Sequence, residues 1–85
     1  MANIINLSKD IEKIIKKKLG AFAKFDSMKV IIIGHIDYLE LSIENIELFT
    51  KHFIEFKVVG RNPKDLKKAL CETLDKICAE YLDGD

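Results

Sequence analysis

The stretch MKVIIIGHIDYLELSIE, Met28 to Glu44, decides the fold. Its first part, Met28 to Ile33, is short, apolar and β-branched, which suits a central strand. Gly34 and His35 follow, and glycine at the first central position fits a two-residue type II′ hairpin turn flanked by Ile33 and Ile36. The second part alternates. Leu39, Leu41 and Ile43 share one side, while Tyr38, Glu40, Ser42 and Glu44 share the other. That pattern marks a strand with one wet face.

Working outward, residues 44–52 admit three readings. Ile46, Leu48 and Phe49 continue the strand, form a short extra one after a turn at Asn45, or make a single helical turn. A further strand follows, with Ile54, Phe56 and Val58 pointing inward and Phe53, Glu55 and Lys57 outward. Gly60-Arg61-Asn62-Pro63 ends it. Asn62 is a good helix cap, Pro63 suits the first helical position, and Asp65 completes the capping pattern. Leu66, Leu70, Leu74, Ile77 and Tyr81 then line one face of a helix over 63–82, with Gly84 beyond it. Upstream, Leu7, Ile11, Ile14, Ile15, Leu19 and Phe22 follow helical spacing. Ser8 reads as that helix's cap, and Gly20 after Lys16, Lys17 and Lys18 reads as a left-handed C-terminal residue. This helix runs over 8–19, or to about 25 if Phe22 stays on the stripe. Two apolar helical stripes and one apolar sheet face imply an α+β two-layer sandwich. The order is α-β-β-β-α: an antiparallel three-stranded sheet, open to a fourth short strand, with both helices on one face.

Composition bounds the class. The chain has 85 residues, 48% hydrophobic and 33% charged, with one proline and four glycines. Residues 1–85 thus read as one domain, which excludes a disordered tail, a collagen-like fibre and a disulfide scaffold. No apolar run approaches the roughly 18 residues of a membrane span. Met1 to Leu7 is too short for the apolar core of a signal peptide. Cys71 and Cys78 lie on one predicted helix, about 10 Å apart along its axis. A disulfide needs Cα atoms within about 7 Å, so they read as two free thiols in a reducing cytoplasm. A domain of this size buries about 60–65% of its unfolded surface, so it works by presenting a surface rather than enclosing a pocket.

Net charge is zero, yet the charges come in blocks. Residues 1–25 balance at +4, residues 26–50 at −4, residues 51–68 at +4 and residues 69–85 at −4. In the second helix Lys64, Lys67 and Lys68 crowd the positive end of the dipole, and Glu80 and Asp83 lie at its negative end. Each exposed placement of that kind costs about 0.3–1 kcal/mol. Either the blocks cancel across the fold, or Arg61, Lys64, Lys67 and Lys68 form a patch that receives an anion.

Catalytic equipment is missing from the sequence. Ser8, Ser27 and Ser42 have no general base in a recognisable context. His35 and His52 with Asp37 lack the ligand spacing of a zinc site, and no phosphate loop, dinucleotide fingerprint or Cys-x-x-Cys motif occurs. A non-catalytic protein without cofactor or metal is expected.

Binding is then the expected role. Tyr38, Glu40, Glu44, Glu47, Phe53 and Glu55, with Asp37 beside them, would form an acidic surface with aromatic anchors for a protein partner. Such a face can also mimic nucleic-acid phosphates in a basic groove. In size and composition the chain resembles the small inhibitors made by phages and mobile elements, which implies an anti-defence inhibitor or adaptor. The order helix–strand–strand–strand–helix also resembles double-stranded RNA-binding domains, in which lysines at the start of the second helix meet phosphates. Lys64, Lys67, Lys68 and Ala69 occupy the comparable place, with Arg61 just before them, and Gly34-His35 falls in the loop between the first two strands. The glycine-rich approach to helix 2 and the loop proline of that family are absent. A homodimer through a strand edge or the outer sheet face is a third possibility.

Overall fold

A computed structural model describes residues 4–49 and 51–82. The elements are α1 (Ile4–Leu19), β1 (Ala23–Lys24), β2 (Lys29–Gly34), β3 (Leu39–Leu48), β4 (Phe53–Gly60) and α2 (Pro63–Ile77). A 3-10 turn at Gly20–Phe22 follows α1, and a wider π turn at Cys78–Leu82 follows α2. This is an α+β fold with helices packed on a four-stranded antiparallel sheet.

β3 is the spine. Ser42 pairs with Ile31 on one side and Lys57 on the other, and Glu47 pairs with Lys24 and Phe53. β1 and β2 therefore lie end to end along one side of β3, and β4 lies along the other. The turn between β1 and β2 falls at Asp26-Ser27 and is closed by the Met28 N–H donating to the Phe25 carbonyl at 3.1 Å. The apolar run at 28–33, expected at the centre, is thus an edge strand. Its Val30 and Ile32 face the core, but Ile31 and Ile33 do not. An apolar residue on each side made the run look doubly buried, although only one side has a helix over it.

The hairpin turn also differs from expectation. β2 continues through Gly34, which pairs with Leu39, and the chain reverses over Ile36 and Asp37. No glycine among the described residues has positive φ. The expected Gly34-His35 turn would set Asp37 opposite Ile32 on the core side. The observed register instead sets Leu41 opposite Ile32 and Ile43 opposite Val30. Both registers keep the same residues on the same faces, so alternation alone does not choose between them.

β3 settles residues 44–48 as strand. A bulge lies between Ile43 and Ile46, where Glu44 and Asn45 oppose the single residue Glu55. Asn45 takes φ 61°, a left-handed conformation that asparagine tolerates. The extra residue lets Leu41 and Ile43 before it, and Ile46 and Leu48 after it, all face the helices.

Both helices cover that face, α2 over β4 and β3, α1 over β2. Ile11, Ile15 and Leu19 of α1, Leu66, Leu70 and Leu74 of α2, and Leu41, Ile43, Ile46 and Leu48 of β3 are fully buried. Each such side chain contributes roughly 1.5–3 kcal/mol of burial. α1 starts at least four residues before Ser8, so Ser8 is not its cap and Asp10 and Glu12 lie within the helix. Its end is a 3-10 turn rather than a left-handed glycine, and Phe22 is turned out of the stripe into solvent. α2 begins as its sequence predicts: Asn62 Oδ1 accepts from the Asp65 N–H at 2.9 Å, with Pro63 at the first position. Gly60 lies hard against this start, since a Cβ there would sit 2.4 Å from the Leu66 nitrogen. Asp83 and Gly84 lie outside the described residues.

Candidate partner-binding face

Among the described residues the sheet's other face carries no helix. Register places its residues in rows. Ile33, Glu40 and Val59 form one row at the hairpin end. Ile31, Ser42 and Lys57 form the next, followed by Lys29 beside Glu44. Beyond the bulge come Lys24, Glu47 and Phe53. Glu55 lies on β4 between Lys57 and Phe53. The residues expected to meet a protein partner on β3 and β4 (Glu40, Glu44, Glu47, Phe53 and Glu55) therefore share this one face. Tyr38 stands at its rim in the hairpin.

The face is not uniformly acidic. A ladder of glutamates on β3 runs between Lys24 and Lys29 on one side and Lys57 on the other. Glu40 joins two neighbours: His35 Nε2 donates to its Oε1 at 2.9 Å, and Lys57 Nζ lies 3.8 Å from its Oε2. The His35 ring stacks on Tyr38, with centroids 4.3 Å apart and planes 16° from parallel. That stack and the Glu40 bond give the hairpin rim a defined shape. Ser42 is buried because its small side chain sits low between longer neighbours. Beside it a shallow depression of about 270 Å³ opens between β3 and β4, lined by Ser42, Glu44, Glu55 and Lys57.

Apolar side chains bracket the charged middle. At the hairpin end Ile31, Ile33 and Val59 are exposed, joined by Ile36, which is 99% exposed. At the other end Phe53 is 66% exposed, and Phe22 and Phe49 are exposed close by, tied by the Phe49 N–H donating to the Phe22 carbonyl at 2.9 Å. Ile31, Ile33 and Val59 escaped the sequence reading because strand alternation hides which of two apolar sides is covered. Phe22 escaped it because α1 gives way to a 3-10 turn at Gly20–Phe22, and Phe49 because β3 ends at Leu48.

The basic start of α2 has a different character. Lys67 Nζ lies 3.1 Å from Asp10 Oδ2 on α1, and Arg61 Nε lies 3.4 Å from Asp65 Oδ2. Lys64 and Lys68 are exposed and make no ion pair among the described residues. A second inter-helix pair joins Lys18 to Asp75, and its hydrogen bond raises the Lys18 pKa above 10.5. With Asp10 beside Lys67 and Lys18 beside Asp75, the two helices run parallel, joined by two ion pairs of opposite sense.

The remaining candidates are dispersed. His35 is in the hairpin, whereas His52 precedes β4 at the far end, its ring 5.6 Å from that of Tyr81. Among the described residues no group of three or more His, Cys, Asp or Glu could hold a metal ion. Cys71 and Cys78 form no disulfide among the described residues and are half-buried in a groove between the helices with Ile14 and Lys18, where the Cys78 thiol donates to the Lys18 carbonyl at 3.9 Å. No helix among the described residues is long and apolar enough to cross a membrane. Comparison of the chain with protein families, curated proteins and solved structures finds no match.

Proposed function

We propose that this chain is a non-catalytic binding protein that docks a protein partner on its open sheet face. It acts there as an inhibitor or adaptor of the kind that phages and mobile elements encode. The observation that carries this reading is a sheet face without a covering layer, on which large apolar side chains flank a glutamate ladder. Contiguous exposed apolar surface rimmed by polar groups marks interaction sites. Phe53 and Tyr38 supply anchors of low conformational entropy, and Glu44, Glu47 and Glu55 supply steering and register. A partner with a basic, partly apolar surface fits that arrangement.

The test is capture of a partner from native host extract by the immobilised chain. The binding should be lost in a Glu44→Lys/Glu47→Lys variant and in Phe53→Ala. It should survive Lys13→Glu/Lys16→Glu on the exposed side of α1. Retention by the open-face variants, or equal loss in the helix control, rejects the reading. The nucleic-acid alternative rests on Lys64 and Lys68, the two residues of the basic start of α2 that make no ion pair among the described residues. It requires duplex RNA binding that weakens steeply with salt and vanishes in Lys64→Glu/Lys68→Glu.

A further inference from the structure

Among the described residues, β2 pairs with β3 along one side and with no strand along the other. The turn bond reveals which of its groups face outward. The His35 N–H donates to the Tyr38 carbonyl at 2.8 Å, so residues 35 and 38 form a hydrogen-bonded pair. Hydrogen-bonded and non-hydrogen-bonded pairs alternate along an antiparallel ladder. With Ile33 opposite Glu40 and Ile31 opposite Ser42, the odd-numbered residues of β2 bond to β3. The N–H and C=O groups of Val30, Ile32 and Gly34 therefore point off the sheet.

Natural edges are blunted by charge, proline, bulges or a covering segment. β2 is regular and carries a single charge, Lys29, at its first position, followed by Val-Ile-Ile-Ile-Gly. The opposite edge, β4, carries two charges within the strand, Glu55 and Lys57. Among the described residues β2 is therefore the less protected of the two edges.

We infer that β2 pairs with β2 of a second copy, antiparallel about a two-fold axis at Ile32, so that the two sheets become one. This register opposes Ile32 to its own copy and Val30 to Gly34. Every outward N–H of the strand then meets an outward carbonyl. On the open face Ile31 of each copy lies against Ile33 of the other, in non-hydrogen-bonded pairs, where side chains approach most closely. Four exposed isoleucines cover one another. Lys29 comes opposite His35 of the second copy, whose ring holds the Glu40 carboxylate, so a cation approaches an acid at both ends of the seam. An isologous contact of this kind closes at two chains. The pairing takes Ile31 and Ile33 from the hairpin end of the proposed partner surface and leaves β3 and β4, with the glutamate ladder and Phe53, open.

Sedimentation equilibrium of the full chain tests it. The expected species is a dimer, and Ile31→Lys/Ile33→Lys and Ile31→Glu/Ile33→Glu should each be monomeric. Mixing those two variants should restore a dimer, because each lysine then meets a glutamate. Register is read by oxidation: a mixture of Ile31→Cys and Ile33→Cys chains should yield disulfides between positions 31 and 33, mapped by mass spectrometry, while Ile31→Cys alone should not cross-link to itself. These cysteine changes fall at exposed positions and decide the question even if the charged variants fold poorly. A wild-type chain that stays monomeric to millimolar concentration overturns the inference. So does a dimer indifferent to charge at positions 31 and 33, or a cross-link from position 31 to itself.

Discussion

On the inner face of the sheet, Leu41, Ile43, Ile46 and Leu48 are fully buried beneath two helices. On the open face, one residue away along the same ladder, Ile31 and Ile33 are 40% and 44% exposed and Phe53 and Val59 more so. The residue types are nearly the same, and within β2 they are interchangeable: Val30 and Ile32 face in, Ile31 and Ile33 face out. What separates them is the neighbouring strand. β3 has a clear polar side, with Glu40, Ser42 and Glu44, and burying those carboxylates unpaired would cost far more than exposing a few isoleucines. The central strand thus chooses the face for the helices, and its neighbours follow through register. The hydrophobic residues left outside are then available for another molecule.

The contrast between the faces can be broken or sharpened by substitution, and the largest effect lies in the core. Ile43→Ala should lower stability by about 3 kcal/mol in urea unfolding of dilute protein, whereas Ile33→Ala should cost less than about 1 kcal/mol. Equal losses would erase the distinction. Gly60→Ala should cost about 2 kcal/mol, because its Cβ would drive against the Leu66 backbone and lift α2 from the inner face. Next come the two asparagines. Asn62→Ala removes the acceptor for the Asp65 N–H and should cost about 1 kcal/mol. Asn45→Ala should cost a similar amount by straining the left-handed bulge, while Asn45→Gly should be near neutral. The smallest effect belongs to the surface pair between the helices. Asp75 raises the Lys18 pKa, so the charged form is favoured in the folded state. The stabilisation is therefore complete below pH 10.5, the unfolded value, and fades as pH climbs through the elevated folded value. A Lys18→Met variant should show a slight deficit at neutral pH that disappears in strong alkali, read from thermal unfolding across pH.

Much of the architecture was legible in the residues. Asn62-Pro63 set the start of α2 because capping is local chemistry, and the alternation of 53–58 set β4 because charge marks its wet side. The joint packing of both helices on one side followed from their stripes. The strand order was not legible. An all-apolar run such as Val30–Ile33 reads alike at a centre or an edge, since composition records burial of side chains and not the pairing of backbones. The hairpin register was hidden for a related reason, as both candidate turns preserve the same alternation. Of the candidate site, Glu40, Glu44, Phe53 and Glu55 were readable from their outward parity, whereas Glu47 joins their face only through the bulge. Lys57 was readable in the same way, but Lys24 and Lys29 were not placed beside the glutamates, because their position depends on the strand order. Distance in sequence hid the pairing of Lys67 with Asp10, which turns part of a basic patch into a brace between helices.

The bulge at Asn45 has one more consequence. It inserts a spare residue without changing which side chains lie on either side of the sheet. A chain lacking Asn45 would keep Ile43, Ile46 and Leu48 in phase with β4 and should still fold. Kin of this protein can therefore differ by a single-residue gap at this spot, and an alignment drawn without that gap would throw the end of β3 out of step with its true counterparts.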